Sequence, residues 1–263
     1  MNCIVVFTDS RGKGLRAHTN EHASEYPIPV FSVIRKGRTL RSCIRSALEY
    51  LDGKKFRGLY CVKYAIIIGG ICDLTSINRE GRARIIDYQH NEDNVSTLID
   101  DIQHIYNKHG GFINIATIAP ASLENHYATF NPSRPRPENL NDSQNMLLQT
   151  TSRLNEAIIE CNKANSTETI DLARKTYSSS KKGRGNKTFK FSPKTLPDGV
   201  HAREDIQTKW LSLTAKIIQR ESNRIRLQIA GERQRSPSAN IDSSDTDTDA
   251  FVPYKRRKRT HKH

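Results

Sequence analysis

The chain has 263 residues, 35% hydrophobic and 27% charged, enough apolar material for one sizeable core with part of the chain left outside it. A net charge of +14 points to anionic partners, nucleic acid first among them, and no run approaches the roughly eighteen apolar residues of a membrane span. Five cysteines with no CxxC pair argue against a disulfide framework and a zinc site, and suit a reducing compartment.

The opening MNCIVVFTDS lacks the basic flank and long apolar run of a signal peptide, so a soluble nuclear or cytoplasmic protein is expected. Residues 3–7 (CIVVF) are wholly apolar and β-branched, as in a strand buried on both faces, and end in the polar turn Thr8-Asp9-Ser10-Arg11-Gly12. Residues 28–34 (IPVFSVI) predict a second strand, stopped by Arg35-Lys36-Gly37. Residues 39–51 follow as a helix with Leu40, Ile44, Ala47, Leu48 and Leu51 on one face, Thr39 as N-cap and Gly53 as stop. Residues 64–68 (YAIII) predict a third strand, broken by Gly69-Gly70.

Residues 94–109 predict an amphipathic helix and residues 112–118 (FINIATI) a fourth strand. The proline-rich stretch 131–138 excludes helix and central strand. A polar helix is expected over 140–165, a short last strand at 169–172, a flexible basic loop over 178–190, and a helix over 204–220. This alternation predicts an α/β fold: a three-layer sandwich with a central parallel sheet flanked by helices. The division expected is a folded domain over 1–231 and a disordered acidic and basic tail over 232–263.

Two short stretches carry chemistry. Ser10 follows a buried strand at the sheet rim, where ligands collect in open α/β folds. Asp198 and His201, in LPDGVHAR (196–203), stand on a turn just before a helix, where a carboxylate three residues upstream can hold an imidazole as a base. The plainer readings are a turn serine and an Asp-Gly turn. Asp9 and Asp73 read as turn residues accepting backbone N–H bonds. Arg11 reads as a solvated side chain, with an anionic substrate as its functional alternative.

The order of these pieces resembles the SGNH, or GDSL-type, hydrolase superfamily. Thr8-Asp9-Ser10 stands where that family has Gly-Asp-Ser. Gly37 follows the second strand, Gly70-Ile71-Cys72-Asp73 takes the Gly-x-Asn-Asp slot, and Asp198-Gly199-Val200-His201 takes that of Asp-x-x-His. The resemblance implies a flavodoxin-like sheet over residues 3 to about 220, and a serine esterase that needs no metal or cofactor and acts on a small acyl ester, often acetyl. It implies Ser10 as nucleophile, His201 as base, Asp198 as its orienting group, and an oxyanion hole at Ser10, Gly37 and position 72. Cys72 replaces the family's asparagine, so a weak thiol donor stands where an amide would be strong. Loss of such a donor typically lowers turnover about a hundred- to a thousandfold.

The alternative is a catalytically degenerate, nucleic-acid-binding member. Domains resembling this one occur in proteins of some mobile elements. Lys255, Arg256, Arg257, Lys258 and Arg259 (KRRKR) have the form of a nuclear import signal read by an import receptor, or of a nucleic-acid tail. Ser243, Ser244, Thr246 and Thr248 upstream lie beside acids, a setting for phosphorylation that would mask the basic run. Lys187 and Lys190, interleaved with Phe189 and Phe191, form a second basic stretch suited equally to binding nucleic acid or to a plain surface loop.

Overall fold

A computed structural model describes residues 1–80, 83–88, 92–181 and 187–235. The chain runs β1 (Asn2–Thr8), α1 (Lys13–Glu21), β2 (Val30–Ile34), α2 (Leu40–Leu51), β3 (Cys61–Ile68), α3 (Ile71–Leu74), β4 (Thr75–Glu80), β5 (Ala83–Tyr88), α4 (Glu92–His109), β6 (Ile113–Ile115), α5 (Leu123–Phe130), α6 (Leu140–Ala164), β7 (Tyr177–Lys181), β8 (Lys187–Phe191) and α7 (Glu204–Arg235).

The main sheet is parallel, in the order β2-β1-β3-β6, with helices on both faces. This is the three-layer architecture expected, with the strand order of flavodoxin-like folds. The sequence of β1 explains why it sits at the centre. Cys3, Val5 and Phe7 point into one cluster with Leu40 and Ile44 of α2, Leu98 and Ile102 of α4, and Leu147 and Leu154 of α6. Ile4 and Val6 point into the other, with Leu15 of α1 and Ile206, Trp210 and Ile217 of α7. A strand buried on both faces needs apolar residues at every position, not at alternate ones.

In β3 the register with β1 shifts between Cys3 and Ile4, so that Cys3 faces Val62 while Ile4 faces Tyr64. Lys63 is exposed at this irregularity, and the run from Tyr64 to Ile68 is buried behind it. A bulge thus removes the only charge in the strand from the core.

The β6 edge is closed by side chains. Asn155 of α6 accepts from the Ile118 N–H at 2.6 Å and donates to its carbonyl at 3.0 Å. One heptad on, Asn162 donates to the Ile115 carbonyl at 3.1 Å, while its Oδ1 accepts from Tyr106 Oη, which in turn accepts from the Ile115 N–H. These side chains supply bonds that a further strand would make to Ile115 and Ile118.

Several expectations require correction. Residues 169–172 form no strand, although the Ile170 carbonyl accepts from Thr117 N–H at 3.0 Å beside β6. The strand expected over 112–118 is shorter, Ile113–Ile115. The basic stretch expected as a loop is largely a hairpin, β7 against β8, whose base is closed by the rings of Tyr177 and Phe191 at 5.9 Å. The hairpin β4–β5 and helix α5 were not expected at all. Helix α7 runs fifteen residues past Arg220, where its end was expected. The KRRKR run, Lys255 to Arg259, and the Ser/Thr cluster lie outside the described residues. Among the described residues, no helix is long and apolar enough to cross a membrane.

Candidate active site

Strands β1, β2 and β3 end in register, with Thr8 opposite both Ile34 and Ile68, and the turns that follow them share one edge of the sheet. After Thr8 the chain must leave the sheet abruptly. Asp9 N–H still reaches the Ile68 carbonyl at 3.3 Å, while Asp9 Oδ1 accepts from Arg11 N–H at 2.8 Å and closes a tight turn over Ser10–Gly12. Gly12 is required there, because a Cβ would fall on the Thr8 side chain. Asp9 is thereby the turn residue the sequence suggested. It is buried, and that burial pushes its carboxyl above the usual range against the opposing pull of Arg11. Ser10 is left at the tip, partly exposed.

The second half of the site lies on the loop between β8 and α7. Gly199 turns it with φ +80°, a left-handed conformation that favours glycine. A Cβ there would also collide with the Ser122 carbonyl and stand 2.5 Å from the His126 backbone nitrogen. Helix α5 is the platform that explains this closeness. Ser122 N–H donates to the Gly199 carbonyl at 2.7 Å, and Asn125 Nδ2 donates to the carbonyls of Pro193 and Leu196 at 2.8 and 2.9 Å. The His126 ring rests on the Asp198 carbonyl, with Nδ1 at 3.3 Å. None of these three supports was legible in the sequence. The Ser-x-x-Asn start of α5, in which Ser122 caps Asn125 N–H, is the one local signal that could have found the helix.

On this platform Asp198 Oδ1 accepts from the N–H groups of Val200 and His201, at 2.9 and 2.6 Å, and Oδ2 lies 2.7 Å from His201 Nδ1. Burial opposes the charged carboxylate, but the His201 ring and the two N–H donors outweigh it and hold Asp198 below the ordinary aspartate range. A carboxylate partner fixes the proton on Nδ1, so Nε2 is the free acceptor. Nε2 lies 3.1 Å from Ser10 Oγ. The structure therefore brings Ser10, His201 and Asp198 into one hydrogen-bonded chain. The His201 side chain is 46% exposed, so the chain opens to solvent.

A cavity of about 350 Å³ adjoins it, lined by Ser10, Arg11, His201, Ala202 and Gln207. Gly37 and Cys72 do not line that cavity. Gly37 stands on the exposed turn after β2, with φ +67°, where Arg35 N–H bonds to the Thr8 carbonyl at 3.1 Å. Among the described residues, neither the Ser10 nor the Gly37 N–H donates to another group. Cys72 is half-buried in α3, which begins at the left-handed Gly70. Burial, with the Asp9 carboxylate nearby, pushes its thiol up to about 11, so it is a neutral thiol at pH 7 and a poor nucleophile. Asp73 accepts from Leu40 N–H at 2.5 Å and so ties α3 to the start of α2, the turn role read from the sequence.

Arg11 differs from expectation. It is 8% exposed rather than solvated, and its guanidinium donates to the carbonyls of Ala119, at short range, and Pro120, at 3.4 Å. Burial lowers its pKa, with Asp9 opposing that shift. Through those two carbonyls it pins the Ser10 turn to the chain after β6. Among the described residues, no three His, Cys, Asp or Glu side chains gather to hold a metal ion.

No protein-family profile matches the chain, and no curated protein matches it in sequence. Solved structures that superpose on it include an acetyl xylan esterase, AlAXEase, at 10% identity over 81% of this chain and 98% of that one, with a TM-score of 0.48. The psychrotrophic esterase EstA from Pseudoalteromonas sp. superposes at 9% identity over 85% of this chain and 100% of its own, with a TM-score of 0.45. A putative GDSL-like lipase from Parabacteroides merdae does so at 11% identity, covering 81% and 95%, with a TM-score of 0.40.

Proposed function

We propose that the chain is a serine esterase of SGNH type that hydrolyses a small acyl ester. The observation that carries this reading is the continuous contact from Ser10 Oγ through the His201 ring to Asp198. In the reaction, Ser10 Oγ attacks the ester carbonyl carbon as its proton passes to His201 Nε2, and Asp198 stabilises the imidazolium. The carbon–alkoxide bond then breaks and Nε2 returns the proton to the departing alcohol. Water, deprotonated by the same nitrogen, releases the acid and regenerates Ser10. The N–H groups of Ser10 and Gly37, each without another acceptor among the described residues, are the donors assigned to the oxyanion. Cys72 occupies the third donor's slot with a weaker group, so turnover is expected to be slow.

The test is labelling with a fluorophosphonate followed by peptide mapping, because only an activated serine reacts. A single modified peptide containing Ser10, absent from Ser10→Ala and His201→Ala, is the expected result. A fully folded chain that takes up no label at Ser10 would end the proposal.

A further inference from the structure

The esterase reading leaves the alcohol half of the substrate undefined, and the cavity beside Ser10 bears on it. The inference below rests on that reading. Nε2 of His201 must protonate the departing oxygen, so the alcohol has to lie on the side of Ser10 where the ring stands. The cavity lined by Ser10, Arg11, His201, Ala202 and Gln207 occupies that side, and its 350 Å³ suits a small group.

Its lining is selective. The Arg11 guanidinium is turned away onto the carbonyls of Ala119 and Pro120, and Ala202 offers only a methyl group. Gln207 is the polar side chain left to recognise a substrate. It stands in the first turns of α7, and its Nε2 donates to the Ala202 carbonyl at 2.5 Å. That bond fixes which way the amide faces, since two carbonyl oxygens at such a distance would repel. Oε1 then presents a lone acceptor, and none of the described residues donates to it.

We infer that Gln207 is a specificity-determining residue: its Oε1 accepts a hydrogen bond from a hydroxyl on the alcohol portion of the ester, and so selects hydroxyl-bearing alcohols over plain alkyl ones. The apolar alternative, an alkyl chain in the same space, would leave that acceptor buried and unsatisfied.

Two acetate esters of nearly equal size separate the cases: 2-hydroxyethyl acetate and propyl acetate, which exchange a hydroxyl for a methyl group. The kcat/KM ratio for the wild-type chain is expected to favour the hydroxyl ester by about five- to tenfold, the range of one neutral hydrogen bond. Gln207→Leu should bring that ratio close to one, while Gln207→Glu, which keeps an acceptor, should retain a preference. The ratio reads specificity independently of any general loss of rate in a variant. Ser10-dependent hydrolysis of p-nitrophenyl acetate without a wild-type preference, or with a preference that survives in Gln207→Leu, overturns the role of Gln207 and leaves the esterase reading standing. No Ser10-dependent hydrolysis of any of the three esters overturns both.

Discussion

Ser10 Oγ and His201 Nε2 stand 3.1 Å apart although 191 positions separate the two residues in sequence. The two ends of the folded region meet because β1 is central and α7 packs on the same face as α1, through Ile206 and Trp210 against the cluster that holds Leu15. The site therefore exists only when the first strand and the last helix are both docked.

If that contact is catalytic, His201→Ala lowers kcat/KM for p-nitrophenyl acetate by at least about a thousandfold, and Asp198→Asn by about a hundred- to ten-thousandfold. The amide introduced by Asp198→Asn would keep an oxygen for the Val200 and His201 N–H groups but present the wrong partner to Nδ1. Steady-state kinetics on both variants check this, and retention of wild-type rates by either one rejects the assignment.

Gly199 sets the turn between the two residues of the pair. Gly199→Ala forces a Cβ onto backbone atoms of Ser122 and His126, which cannot yield as a flexible side chain could. The expected outcome is a loss of about 2–4 kcal/mol of stability in urea unfolding, together with reduced activity in whatever fraction stays folded. A neutral substitution would mean that the loop is not held on α5.

Arg11 is a buried cation whose guanidinium bonds to two backbone carbonyls, with the buried Asp9 carboxylate nearby. Arg11→Met fills the same space without the charge and strands both carbonyls and the Asp9 carboxylate. A loss of about 3 kcal/mol is expected in thermal or denaturant unfolding. Arg11→Met as stable as the wild type would show that solvent already serves those carbonyls.

If position 72 serves the oxyanion as proposed, Cys72→Asn puts an amide donor there in place of the thiol. Turnover of p-nitrophenyl acetate is expected to rise about tenfold or more, towards the contribution typical of one such donor. No gain would mean that α3 does not bring position 72 to the reacting oxygen.

Burial pushes the Asp73 carboxyl up to about 6, against the bonds from Leu40 and Arg41 N–H. The unfolded chain releases this proton near pH 4, so between about pH 4 and pH 6 the folded state binds more protons. Stability is therefore greater at the acid end of that window and falls as pH rises through it. Relative to Asp73→Asn, the wild type should lose about 2 kcal/mol more between these limits, measured as urea unfolding free energies at pH 4 and pH 6.5.

Much of the frame was legible in the sequence because buried parallel strands announce themselves. CIVVF and YAIII have no polar alternation to confuse them, and the N-cap Thr39 and the left-handed Gly53 bracket α2 as expected. The hairpin β4–β5 was illegible because TSINRE carries mainly polar residues, and its pairing with ARIIDY depends on a partner rather than on local pattern. Helix α5 was illegible because its eight residues are too few to show a helical period.

The sequence by itself determined which residues could do chemistry: a serine closing a buried strand, and an aspartate three residues before a histidine. It also determined the layered fold, since apolar runs and amphipathic helices in alternation have few other ways to bury their surfaces. Only the tertiary structure decided that Arg11 turns inward to hold a turn, that α5 carries the Asp198–His201 loop, and that Gln207 faces the cavity. Those outcomes depend on which carbonyls and which space lie across the molecule, and such long-range partners leave no trace in the spacing of neighbouring residues.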